Sequence, residues 1–221
     1  MARSNAGGTD QFSWSRTATP AQPSVGCFAF WLKTTQTTSN VSVMSHWSTG
    51  SRLGFGILLN NTANKLTAVG YPSSTPAGIT LISTSNLNDG NWRHVAFNFN
   101  RSSGQANALF IDGVSEVSGN SSSNWGNNLT PTYSIACSQL NGFWSAYVGE
   151  IAEIGYWSTN LTSDEIAALA KGYAPSTIRP TSLTVAYAPL VRDIHELRDT
   201  LASSVTGTSV TDHPRVIGGS V

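Results

Sequence analysis

Apolar residues in this sequence come in short bursts, each closed by Asn, Asp, Gly, Ser or Pro. From residue 25 to residue 157 the bursts follow one another with no helical stretch between them. That rhythm constrains the fold class more than any single residue. Short runs with period-two alternation are strands. Strands that succeed one another without crossover helices pair antiparallel and close into a sandwich, not into a βαβ array.

Residues 25–33 (VGCFAFWLK) put Phe28, Phe30 and Leu32 on one face and Cys27, Ala29 and Trp31 on the other. Both faces are apolar, so this strand is expected at the centre of a sheet, covered on both sides. Further strands are expected at 41–46, 53–59, 65–71, 80–85, 92–100, 107–111, 114–117, 133–137 and 147–157. Asp112-Gly113 separates two of them, and that pair suits a type I′ hairpin, whose two central residues need positive φ. One helix stands out, at 163–171. Thr162 is its N-cap and Glu165 completes a capping box. Asp164 and Glu165 complement the positive end of the helix dipole, and Gly172 and Pro175 stop it. Its Ile166-Leu169-Ala170 stripe must pack on the sandwich, because so short a helix does not stand alone.

The expected architecture is therefore an all-β, antiparallel jelly-roll β-sandwich with one short capped helix. It divides into a domain at 1–177 and a C-terminal extension at 178–221. Within the extension, 183–190 reads as a strand broken by Pro189 and 193–202 as a short helix. The extension is too short for a core of its own, so it completes the sandwich or contacts a partner.

Composition narrows the function. Only 11% of residues are charged and the net charge is zero, which removes the clustered Lys and Arg of a nucleic-acid-binding surface. Seven Trp, eight Phe and six Tyr supply a core and exclude a disordered chain. No run approaches the ~20 apolar residues of a membrane span. The first residues carry no apolar signal-peptide core, so synthesis in a host cytoplasm is expected. Cys27 and Cys137 read as two buried free thiols, with a disulfide as the alternative.

Four blocks in order, Asp89-Gly-Asn-Trp92-Arg-His94-Val95-Ala96, Ala108-Leu-Phe110-Ile-Asp112-Gly113, Gly149-Glu-Ile151-Ala-Glu153-Ile154-Gly-Tyr156-Trp157 and Leu161-Thr-Ser-Asp-Glu165-Ile166, resemble the laminin-G-like branch of the concanavalin A-like lectin/glucanase superfamily. The resemblance covers roughly residues 10–175 and implies the jelly-roll fold. Residues 178–190 and 212–217 look like tails of laminin-G-like proteins among bacteriophage structural genes. That likeness implies a place on the virion surface, as capsid decoration or tail-associated protein. Its partners would be a major capsid or tail protein, copies of itself and cell-surface glycans.

Catalytic chemistry finds little support. Glycoside hydrolases need two carboxylates on one face. The nearest pair, Glu150 and Glu153, is oddly spaced, which sends its members to opposite faces of a regular strand. His195-Glu196-Leu-Arg-Asp199 lacks the second histidine of a zinc-protease helix, and His46, His94 and His213 are far apart in sequence. His94 is expected to be structural, hydrogen-bonded under the sheet. No cofactor is implied, although calcium stays open. Hard-cation sites need converging oxygens, and Asp89, Asp112, Asn141 and Glu150 fall at turns or strand ends, where simple turn formation is the ordinary explanation. For a glycan or partner the candidates are Tyr71, Trp125, Asn141 and Trp144, aromatics and an amide in polar loops, with core or subunit packing as the alternative. The expected function is a non-enzymatic virion structural protein. A carbohydrate-binding lectin module is the alternative, ahead of a glycoside hydrolase.

Overall fold

The computed structural model describes residues 2–7, 11–15, 23–47, 54–72, 77–126, 132–133, 145–183, 186–188, 202–212, 214 and 217. In chain order the strands are β1 (Ala2–Asn5), β2 (Gln11–Ser15), β3 (Val25–Lys33), β4 (Val41–Trp47), β5 (Gly54–Leu59), β6 (Leu66–Tyr71), β7 (Ile79–Ile82) and β8 (Arg93–Asn100). They continue with β9 (Ala106–Ile111), β10 (Val114–Asn120), β11 (Thr132–Tyr133), β12 (Ser145–Ala146), β13 (Gly149–Trp157), β14 (Ala186–Ala188), β15 (Ala202–Thr206) and β16 (Ser209–Thr211). The helix α1 (Ser163–Ala170) lies between β13 and β14.

Two sheets make the sandwich. The large one runs β10-β9-β8-β3-β13-β1-β16, with β14 also on β13, and the small one runs β12-β4-β5-β6-β7. Among the described residues every strand pairing is antiparallel except that of β12 with β4. This is the all-β jelly-roll expected from the sequence. Between the sheets Phe28, Phe30, Leu32, Val95, Phe97 and Phe99 face Phe55, Ile57, Leu59, Leu66 and Ala68. Each such side chain contributes about 1.5–3 kcal/mol by leaving water. The rings meet tilted or edge-on, as Phe28 does with Tyr156 at 5.6 Å and 79°.

The two local signals read most sharply hold. Asp112 and Gly113 both have positive φ, 51° and 83°, joining β9 to β10. Thr162 Oγ1 accepts from the Glu165 amide, and the Glu165 carboxylate accepts from the Thr162 amide at 2.7 Å, closing the capping box. The helix sits on the outer face of the large sheet. There Cys27, Ala29, Ala96, Phe110 and Trp157 pack with Leu161, Ile166, Leu169 and Leu183. Asn98 fixes the approach to the helix, its amide exchanging two hydrogen bonds with the Leu161 backbone at 2.7 and 3.1 Å.

β1 and β2 go unforeseen: ARSN carries no apolar periodicity, and the alternation of Phe12 and Trp14 in QFSWS spans only five residues. Their place is set by partners far along the chain. β1 lies between β13 and β16, and β2 pairs with β15. β14 continues the same edge of β13 that β1 occupies. Of the helix expected at 193–202 only Ala202 is described, and it opens a strand. Cys137 and most of the strand expected at 133–137 lie outside the described residues.

Candidate functional site

Alternation decides what β3, β8 and β13 show on the outer face towards the Lys33 end of β3. Leu32, Val95 and Ile151 point into the core. Trp31 and Lys33 of β3, His94 of β8 and Glu150 and Ala152 of β13 therefore point out. Trp92, two residues before His94, continues that face. Cross-strand register sets Trp31 beside both His94 and Ala152, and Lys33 beside Glu150. The result is a checkerboard in which tryptophans alternate with cationic or imidazole groups. The Trp31 and His94 rings meet edge to face at 5.3 Å, and Lys33 Nζ stands 6.0 Å above the Trp92 ring. Lys33 also pairs with the Glu150 carboxylate at 3.3 Å.

Where these strands end, an open cavity of about 190 Å³ is lined by Lys33, Thr34, Thr35, Gly90, Val148, Gly149 and Glu150. Its walls are tied together. The Gly90 amide donates to the Thr34 carbonyl at 2.9 Å, and Thr34 Oγ1 donates to the Val148 carbonyl at 2.6 Å. Gln36 exchanges hydrogen bonds with Ala146 and Val148 at 2.9 and 2.8 Å. Gly149 has φ 150°, and a Cβ there would stand 2.5 Å from the Lys33 carbonyl, so only glycine lets the strands approach this closely. Val148 is exposed beside the polar lining.

The sequence candidates scatter around this frame. Asp89 and Asp112 come together, but on Arg93, whose guanidinium donates to Asp89 at 2.9 Å and to Asp112 at 2.7 Å. Asp112 also accepts from the His94 amide at 2.9 Å. Burial pushes the Asp89 carboxyl up, but hydrogen bonds from Asn91 and Arg93 and the guanidinium charge hold it below the usual carboxylate range. Glu150 belongs to the cavity and is bound to Lys33. No group of three metal-ligating side chains occurs among the described residues. With arginine between the two aspartates and lysine on Glu150, this set does not fit a calcium ion, which needs unclaimed oxygens converging on one point.

Tyr71 is half-buried with Leu58, Val69 and Ala77 on the outer face of the small sheet, away from this frame. Trp125 is inside the sandwich. It is 3% exposed, stacked on Phe97 at 6.4 Å and 20°, with Nε1 donating to Ser121 Oγ at 2.9 Å. The polar SSSNWGNN context hides the reason, which lies elsewhere in the chain. Gly70 and Gly78 clear the space the indole fills, and a Cβ at Gly70 would meet it at 2.4 Å. Asn141 and Trp144 lie outside the described residues, as do His195, Glu196 and Asp199.

Two expectations need revising. β13 carries a bulge between Ala152 and Gly155, with Glu153 at φ 50°. The bulge resets alternation, so odd spacing no longer separates Glu150 from Glu153. What distinguishes them is their setting: Glu150 is a half-buried ion-pair partner in the cavity wall, and Glu153 is only 6% exposed. His94 is structural and 1% exposed, but its Nδ1 has no hydrogen-bond partner among the described residues. Burial lowers its pKa to about 3 and keeps it neutral. Cys27 carries a free, buried thiol, which burial holds well above its ordinary pKa.

Reasoning from the sequence missed Trp31, Trp92 and Lys33 as site residues. The alternation of residues 25–33 already put Trp31 on the second face. What it could not show was that Cys27 and Ala29 are covered while Trp31 stays half-buried.

The fold and its rim define a lectin-type β-sandwich. The chain belongs to the Laminin_G_3 family of the concanavalin A-like lectin/glucanases superfamily, whose sequence model matches residues 6–167. A comparison with curated proteins finds no match. Among solved structures it is similar to a putative carbohydrate binding protein from Bacteroides ovatus (TM-score 0.70, 13% identity), over 99% of this chain and 62% of that one. It also resembles the heptameric SAP-like pentraxin from Limulus polyphemus (TM-score 0.59, 14% identity), over 76% of this chain and 81% of that one. A third likeness is to botulinum neurotoxin type C, whose cell entry depends on two ganglioside molecules (TM-score 0.50, 14% identity), over 66% of this chain and 35% of that one. The chain thus spans less than two thirds of the first of these proteins, and the three likenesses show the shared fold. These neighbours are binding or lectin-type proteins.

Proposed function

We propose that this chain is a non-enzymatic recognition domain that binds carbohydrate at the Lys33 end of the large sheet. The observation that carries this reading is the cavity between Thr34, Gly90 and Glu150, with the Trp92 ring beside it under Lys33. A sugar offers hydroxyls to the threonine, lysine and carboxylate groups of this wall and an apolar ring face to a tryptophan. Glu150 is the cavity's one carboxylate and already serves Lys33, whereas hydrolysis of a glycosidic bond needs two acids at a common centre. Calcium is not required, because Arg93 satisfies Asp89 and Asp112. A glycan array probed with the purified chain tests this. Binding is expected, equal in calcium and in EDTA, and lost in Trp92→Ala. An array blank under both conditions overturns it.

The place of action we propose is the virion surface, as a capsid-decoration or tail-associated protein meeting host glycans. The support is the phage-like residues 178–190 and 212–217, together with a surface covered by neutral Ser, Thr, Asn and Gly. Stoichiometric copies in the mass spectrum of purified particles are expected, and particles lacking the chain would remove this role.

A further inference from the structure

We infer that the ligand of this site is an extended glycan of two or more sugar rings, because the geometry supplies a second aromatic seat, at Trp31, on the same face as the first at Trp92. The inference rests on the recognition reading above and adds the ligand's length to it.

Trp31 and Trp92 are diagonal neighbours across the β3–β8 pair. Trp31 faces His94 in register, and Trp92, just before β8 begins, lies under Lys33, the next outward residue of β3 after Trp31. Such diagonals stand roughly 7–8 Å apart, far enough for two rings and close enough for one short chain. Both tryptophans are half-buried. Each is held in place differently. Trp92 lies under the Lys33 ammonium, which also lines the cavity. Trp31 stands edge to face with His94, a buried ring that stays neutral at ordinary pH and so adds no charge beneath an uncharged sugar. On the side of Trp31 away from Trp92 the register neighbour is Ala152, a small buried residue. The Trp31 indole stays out of the interior, unlike Trp157 on the same face, which is fully buried and donates to the Ile178 carbonyl at 2.8 Å. A second half-buried aromatic, near the one that lies under Lys33 beside the cavity, is what a chain of rings can use and a single ring cannot.

The test uses the full chain and five homologous oligosaccharide series (malto-, cello-, laminari-, xylo- and chito-), each from one to six units, followed by tryptophan fluorescence and calorimetry. In the series that binds, affinity is expected to rise at least tenfold between one unit and three. Trp31→Ala should erase that rise and leave the single-sugar affinity unchanged, while Trp92→Ala should weaken every length. Trp31→Phe, which keeps a ring, should retain part of the rise and covers the case in which the alanine variant fails to fold. Binding that does not depend on length, or a rise that survives loss of the indole, overturns the second seat and leaves recognition standing. No binding in any series overturns both.

Discussion

The outer face of the large sheet is built from the same three strands at both ends, and the two ends differ in everything else. Under α1 the outer side of β3 and β8 is Cys27, Ala29 and Ala96, small groups that let a helix lie close. At the other end the same positions of the pleat hold Trp31, Lys33, Trp92 and His94, of which the first three are half-buried and His94 is buried beneath them. The lesson is that side-chain size along one strand reports what covers it. Small residues mark a seat for another element, whereas large amphipathic ones, wet at the tip and apolar in the body, mark a surface left for something outside the fold.

That contrast can be broken at either end. The largest effect is expected from Trp157→Ala under the helix, about 3–5 kcal/mol of lost stability in urea unfolding. Trp31→Ala and Trp92→Ala should cost far less, and equal losses at the two ends would erase the distinction. Next comes acidity. Burial lowers the His94 pKa from 6.5 to about 3, so the unfolded chain takes up a proton that the folded one refuses between those values. Stability is complete above pH 6.5 and falls as pH drops towards 3, by up to roughly 1.4 kcal/mol per pH unit. Acidification from pH 6.5 to 4.5 should therefore cost about 2–3 kcal/mol, and His94→Gln should flatten that part of the curve in thermal melts. Gly113→Ala tests the seat itself. The new Cβ would stand 3.0 Å from Ala167 Cα at a φ of 83°, and a loss of about 1–2 kcal/mol is expected. Thr162→Ala, which removes the cap of the covering helix, should cost about 1 kcal/mol. The smallest change belongs to Lys33→Gln, within about 1 kcal/mol because the ion pair is part-exposed, yet with altered glycan affinity.

The sequence was readable wherever the information is local. Asp112-Gly113 specified its hairpin and Thr162 with Glu165 specified the helix start, because both depend on residues within four positions of one another. Residues 25–33 were legible because a central strand is apolar on both sides. Legibility ends where a partner far away decides. Trp125 looks solvent-bound among serines and asparagines, but Gly70 and Gly78 make room for it. Asp89 and Asp112 look like spare oxygen ligands until Arg93 is folded between them. The bulge at Glu153 defeated strict alternation, as an extra residue always does. Trp31 was correctly placed on the second face, and its bulk beside the small Cys27 and Ala29 was the local mark of its partial exposure.

The pairing of β1 with β16 has a mechanical meaning. Ala2 lies directly opposite Thr211 at one end of an antiparallel ladder, whose hydrogen bonds run across the strands. Tension applied between those two positions would load the bonds one at a time, like opening a zip, instead of shearing the row together. Such a pull would open that seam pair by pair while the interior between the two main sheets stays intact.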